Sequence, residues 1–369
     1  MKYDTIKTVY NPNSNNFHLM RLIFAVSVVW THAVAMLSSS QNILGHIVRI
    51  DIGGTAVHAF FIVSGFLVVQ SAINSRSTVD YFLKRCLRIF PGLFVALFML
   101  AFVAGPLMTK MDLREYFTIG KTDPFSYVWK NLTGYPHNVW TLQDIFSNNR
   151  KNDANGSLWT LKHELAMYLI IGILLAARLI KKRWAIVVTF LIFSIGVIAY
   201  YVYGWQPFTE RVVRYWVLDV WVYSGFIREG FFFMSGAMLY TFRDKIPVNN
   251  YLFTVSLFGL AVCIVFNKEL LGMCLFLPYI VIRLCMYDKF SSFQKHGDFS
   301  YGIYIYHFPI IQIILSTNPN WSVPQLFLFS GFITFCVAYL SWHYIEKPSL
   351  KLKRYTSRML NSNTVNRSA

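Results

Sequence analysis

Ten apolar stretches alternate with polar connections along the chain, at about 19–38, 53–73, 89–108, 157–177, 184–204, 226–242, 251–267, 270–287, 299–317 and 325–345. Each is close to the roughly 20 residues with which an α-helix crosses the hydrocarbon core of a bilayer. No period-2 alternation competes with them, so the pattern predicts an all-α, polytopic membrane helix bundle with about ten transmembrane helices. One membrane domain is expected over residues 1–350. A basic, then Ser/Asn-rich tail over 351–369 is expected to be partly disordered and held at the lipid headgroups.

Composition agrees with this reading. Of 369 residues, 55% are hydrophobic, 18% aromatic and only 14% charged, and the mean hydropathy is +0.44. The formal charge of +17 would suggest nucleic acid in a soluble chain. Here the basic residues cluster at the ends of apolar stretches, which is the signature of a membrane surface, so no nucleic acid is expected. With the N-terminus in the cytoplasm, the dense basic groups fall on the inner side: Lys2 and Lys7, Arg76 to Arg88, Arg178 to Arg183, and Lys347 to Arg367. Outer residues such as Arg49, Lys121, Arg211 and Arg214 are spread over longer connections. Both termini are therefore expected in the cytoplasm. Four of the five cysteines lie inside apolar stretches without paired or ligand-like spacing, so neither a disulfide framework nor a metal site is expected.

Ionisable residues inside spanning helices are costly and mark candidate sites. The first stretch, LMRLIFAVSVVWTHAVAMLS, carries Arg21 near its start and His32 eleven residues on. Eleven residues make three turns and about 20°, a rise of roughly 16 Å, so the two side chains share a face. His32 reads either as a general base or as a histidine bonded to a neighbouring helix. Arg21 reads either as an anchor for an anionic ligand or as a headgroup contact. Glu164, in NGSLWTLKHELAMYL, lies about as far from the outer end of its stretch as His32 does from its own, roughly 10 Å. A carboxylate at matched depth would orient the imidazole, so His32 with Glu164 is the preferred pair.

The segment FLKRCLRIFPG reads as an inner loop leading into the third stretch, with Pro91 in the first helical turn. Arg85 and Arg88 share a face there, and with Lys84 they form a cationic cluster that suits phosphate or simple inner-side anchoring. In GGTAVHAFFIVSGFLV, Ser64 reads as a packing residue or a pathway residue, and His58 as core or interfacial. Trp159 reads as an interface anchor. In FSYGIYIYHFPII, Tyr301, Tyr304 and His307 line one stripe, either beside a polar tunnel or as an aromatic packing face. Glu346 and Lys347 read as boundary charges. The long aromatic connection 109–156 could dock an acceptor or pack on the bundle.

Taken in order, RLIFAVSVVWTH, FFIVSGF, RCLRIFPG, GSLWTLKHE, SYGIYIYHFP and YIEKP resemble the acyltransferase-3 family of integral-membrane acyltransferases, and they cover the chain from about 17 to 350. The resemblance implies a multi-pass protein of the bacterial inner membrane. It would move an acyl group, usually acetyl, from cytoplasmic acyl-CoA to a hydroxyl of an extracytoplasmic glycan such as a lipopolysaccharide O-antigen or a lipid-linked sugar. It implies His32 as the catalytic base, and Arg21, Arg85 and Arg88, with Lys84 beside them, on the donor side. Trp159, Ser64, Tyr304 and His307 are weaker candidates for lining the path. Many long members carry a further esterase-like domain; the absence of one after the last stretch implies a stand-alone type, with a separate periplasmic partner as an option. Two other readings stay open: a transporter or flippase that uses the intramembrane His and Glu as a proton relay, and an assembly partner of a glycan-export complex.

Overall fold

The computed structural model describes residues 3–37, 51–118, 120, 122–133, 139–203 and 224–353. Arg49, Lys121, Arg211, Arg214 and the tail beyond Lys353 lie outside them. Every described regular element is helical. The long helices are α1 (Phe17–Leu37), α2 (Ile52–Ile73), α3 (Thr78–Phe98), α4 (Pro124–Thr133), α5 (Trp159–Ala176), α6 (Arg183–Tyr203), α7 (Ser224–Thr241), α8 (Asn250–Val265), α9 (Glu269–Cys285), α10 (Ser300–Thr317) and α11 (Val323–Ser341). Each of the ten apolar stretches overlaps one of these helices. Among the described residues, six helical segments are long and apolar enough to cross a membrane: those built on α1, α2, α3, α5, α6 and α11. Large apolar side chains such as Ile192, Ile195, Phe258, Leu328 and Phe332 face outward, as a lipid-facing surface requires. The protein is an all-α membrane bundle.

The chain forms two compact units, residues 1–74 with 163–300, and 75–162 with 301–369. In the first unit α2 is the central element. Asp51 caps it by accepting from the Gly54 amide at 3.0 Å. Its contacts with α1 run in reverse order: Gly53 meets Thr31, Phe60 meets Phe24 and Phe66 meets Phe17. The two helices are therefore antiparallel. On the other side α2 meets α7 backbone to backbone. A Cβ on Gly65 would fall 1.8 Å from the Phe233 carbonyl oxygen, and one on Gly236 would fall 1.9 Å from that of Ile62. Small residues at a helix crossing permit this closeness.

In the second unit, α3 starts at Thr78, about three turns before the start of the third apolar stretch at about 89. Ser77 caps it by accepting from the Asp80 amide at 3.1 Å. The segment 82–92 is thus helix, not loop, and Pro91 lies in the helix interior. The basic residues of this stretch hid the helix from an apolarity count. Beyond Phe98 the chain continues through a π-helical turn, Met99–Ala104, to Met108. The 109–156 connection packs on its own unit: Tyr116 donates to the Ala101 carbonyl at 2.8 Å. Gln312 of α10 donates to the carbonyls of Lys151 and Asp153. Helix α4 leaves Phe125 and Trp129 exposed.

Candidate functional site

The reversed contacts between α1 and α2 give a depth scale for the first unit. Position 53 is level with 31, 60 with 24 and 66 with 17, so Ser64 is level with about residue 20 and His58 with about residue 26. Along this scale the polar groups form three levels. His32 is half-buried on α1, in the turn that packs against Gly53. His58 lies roughly 9 Å further in, and Arg21 roughly 16 Å from His32.

The middle level was not anticipated. His58 Nδ1 lies 2.9 Å from Glu229 Oε2, and the Arg228 Nε donates to the other carboxylate oxygen at 3.0 Å. Glu229 is fully buried and His58 nearly so, and the imidazole stacks on Phe232 with ring centroids 4.2 Å apart. His58 is therefore not a bland core residue. Sequence offered one signal, a Glu inside an apolar run at FIREGFFFM, which needs a partner in any bundle.

The inner level corrects the preferred pair. Glu164 accepts hydrogen bonds from Ser64 Oγ at 3.2 Å and from the Tyr168 hydroxyl, its described partners. Ser64 is level with the Arg21 turn, so this carboxylate sits roughly 17 Å below His32 along the helix axis. Matching depth from the ends of two sequence stretches failed because helices in a bundle start at different heights. Arg21 forms an ion pair with the nearly buried Asp298, whose other oxygen accepts from Ser300. Asp298 was missed too; it sits in the short polar turn before α10.

The second unit holds the other candidates. Lys84 on α3 pairs with Asp80 and donates to Ser75. Arg88 is flanked by the rings of Tyr301 and Trp342, whose centroids lie 5.8 and 5.9 Å from its guanidinium carbon. Its Nη1 lies 3.8 Å from Glu346 Oε2. Lys353, in the helical continuation beyond α11, is within electrostatic reach of Lys84, Arg85 and Arg88. Four cations thus share one region with two acids, Asp80 and Glu346. Glu346 is buried and not a boundary charge: the π-helical turn Trp342–Glu346 turns it inward, where Ser341 Oγ donates to it at 3.1 Å. Elsewhere in this unit Tyr304 and Thr160 share a 2.6 Å hydroxyl contact. His307 Nδ1 lies 3.0 Å from the Ile303 carbonyl, which can only accept, so the proton is on Nδ1. Trp159 is half-buried at the start of α5. Ser64 is in the first unit, whereas Trp159, Tyr304 and His307 are in the second.

No group of three or more potential metal ligands occurs among the described residues. The polar groups instead suit proton transfer (imidazoles beside carboxylates) and anion recognition (clustered cations). The chain is 28% identical over 342 residues to an O-acetyl transferase of Shigella phage Sf6, covering 91% of this chain and 96% of the relative. It is 27% identical over 383 residues to nodulation protein 10 of Rhizobium leguminosarum bv. viciae, covering 92% and 94% respectively. No solved structure matches it. The acyltransferase domain of the acyltransferase-3 family matches residues 14–343. A helical membrane bundle carrying buried imidazoles and a cationic face, matched to that domain over most of its length, belongs to the acyltransferase-3 family and is an acyltransferase.

Proposed function

We propose that the protein takes an acyl group, in the first instance acetyl, from acyl-CoA on the cytoplasmic side and places it on a hydroxyl of an extracytoplasmic glycan. The observation that carries this reading is Arg21 and His32 on one apolar helix, roughly 16 Å apart, a cation at one end and a base near the other. Coenzyme A presents phosphates at one end and a thioester on a long arm at the other. The cationic cluster of the second unit, Lys84, Arg85 and Arg88, suits phosphates, as does Arg21 in the first unit taken by itself. His32 takes the proton of the acceptor hydroxyl. The oxygen attacks the thioester carbonyl, the C–S bond breaks, and the imidazolium returns the proton to the departing sulfur. Donor, acceptor and membrane lipids are the partners this requires, in a multi-pass protein of the inner membrane with both termini cytoplasmic. Glu164 belongs to the inner level of this path through Ser64, as a residue that sets polarity near Arg21. Within the second unit, Trp159, Tyr304 and His307 are candidates for substrate contact. The phage relative is named for acetyl transfer, which supports acetyl as the group moved.

Mass spectrometry of envelope glycans from cells with and without the protein tests this. An ester-linked acetyl mass present only with the protein is the expected result. Identical glycans in the two strains, with the protein present in the membrane, contradict the acceptor assignment.

A further inference from the structure

We propose that Glu346 is a positioning residue for acyl-CoA recognition, holding the Arg88 guanidinium in the orientation in which it meets the nucleotide phosphates. This rests on the donor reading above and deepens it.

Several independent features converge on this carboxylate. Glu346 closes the π-helical turn Trp342–Glu346 at the end of α11. Such turns are rare and concentrate at functional sites. The side chain is 2% exposed, and Ser341, five residues earlier, donates to its Oε1. Glycines line its surroundings. A Cβ on Gly302 would lie 2.9 Å from the Ala338 Cβ and 3.3 Å from Glu346 Oε1, and one on Gly92 would lie 2.9 Å from the Tyr301 ring. The Tyr301 hydroxyl in turn donates to the Ile89 carbonyl at 2.8 Å, one residue from Arg88.

The 3.8 Å separation of Arg88 Nη1 and Glu346 Oε2 is beyond hydrogen-bond range. It is an ion pair acting through charge, not a hydrogen-bonded fork between these two groups. The flanking Tyr301 and Trp342 rings restrict its plane further. A guanidinium held in this way meets a phosphate with little further loss of freedom, and pre-organisation of that kind is how arginine gains affinity. One carboxylate does not reverse the sign of the site. Arg85, Lys84 and Lys353 share the region, and Asp80 pairs with Lys84.

A merely structural carboxylate would serve every donor equally, so the test compares two. Purified protein in detergent is assayed with acetyl-CoA and with S-acetylpantetheine, which carries the same thioester but no nucleotide phosphates. For the wild type a KM for acetyl-CoA far below that for S-acetylpantetheine is expected. Glu346→Gln is expected to raise KM for acetyl-CoA about tenfold, with kcat nearly unchanged and KM for S-acetylpantetheine unmoved. Glu346→Asp should recover part of the loss. Ser341→Ala, which withdraws one hydrogen bond from the same carboxylate, should give a smaller rise of the same kind and is the decisive variant if E346Q does not accumulate. Wild-type protein that binds both donors alike overturns the phosphate reading of the cationic face, and this inference with it. Wild-type discrimination that survives unchanged in E346Q, or in S341A where only that variant accumulates, overturns the role of Glu346 alone. So does an equal loss on both donors.

Discussion

His58 Nδ1 and Glu229 Oε2 lie 2.9 Å apart in the buried interior of the first unit, 171 residues apart in sequence. The pair sits on α2 and α7, the two helices whose glycines bring their backbones together. Removing one member of a buried, hydrogen-bonded polar pair leaves its partner buried without compensation, at a cost of about 1–3 kcal/mol and more where that partner is charged. Glu229→Ala is therefore expected to lower stability in detergent by that order, read as a fall in the unfolding midpoint. Replacing both residues with leucine should cost less than Glu229→Ala alone, the remaining loss being that of the Arg228 contact with Glu229. Equal losses for the single and double variants would argue that the pair is not coupled.

The crossing of α2 and α7 makes a sharper steric prediction. With 1.8 Å between a Cβ at Gly65 and the Phe233 carbonyl oxygen, Gly65→Ala cannot be accommodated by moving a side chain. A yield of monodisperse protein well below wild type is expected on size exclusion. The same change at Gly331, where a Cβ meets nothing within 4 Å, should leave the yield intact.

The 109–156 connection has its own switch with acid. Burial raises the carboxyl of Asp123, but this is outweighed by hydrogen bonds from Ser126 and from the Gly120 and Phe125 amides, which hold it below its ordinary 3.8. A depressed folded value means that Asp123 contributes stability in full above the ordinary value, and that this is lost as pH falls through the lower one. The start of α4 should thus show steady amide protection from neutral pH to about 5 and lose it below about 4. Asp123→Ala should cost about 1 kcal/mol at neutral pH and remove that acid dependence. Hydrogen exchange over residues 124–133 reads both effects.

The inner level predicts a functional difference from the outer one. Glu164 is tied to Ser64 and Tyr168 near the Arg21 turn, so Glu164→Gln should alter donor KM more than it alters the pH profile of transfer. A shifted pH profile with donor KM unchanged would restore Glu164 as the partner of the catalytic imidazole.

The helices were legible because membrane spans announce themselves by uninterrupted apolar length. The first three turns of α3 were not, because Lys84, Arg85 and Arg88 made helix look like loop. Arg21, His32 and the basic cluster stood out as charges where charges are costly. Their partners did not: Asp298, Glu229 and Glu346 lie far away in sequence, and only packing brings Arg21, His58 and Arg88 to them. Depth along a helix was legible, whereas depth between helices was not, and Glu164 shows the difference.

The central claim is that His32 is the base of the transfer. Membranes holding equal amounts of wild-type and His32→Ala protein are given radiolabelled acetyl-CoA and acceptor glycan, and label in the glycan is counted. Loss of a general base should reduce transfer by about 100-fold or more, with binding of acetyl-CoA retained. Transfer by His32→Ala at the wild-type rate would contradict the account.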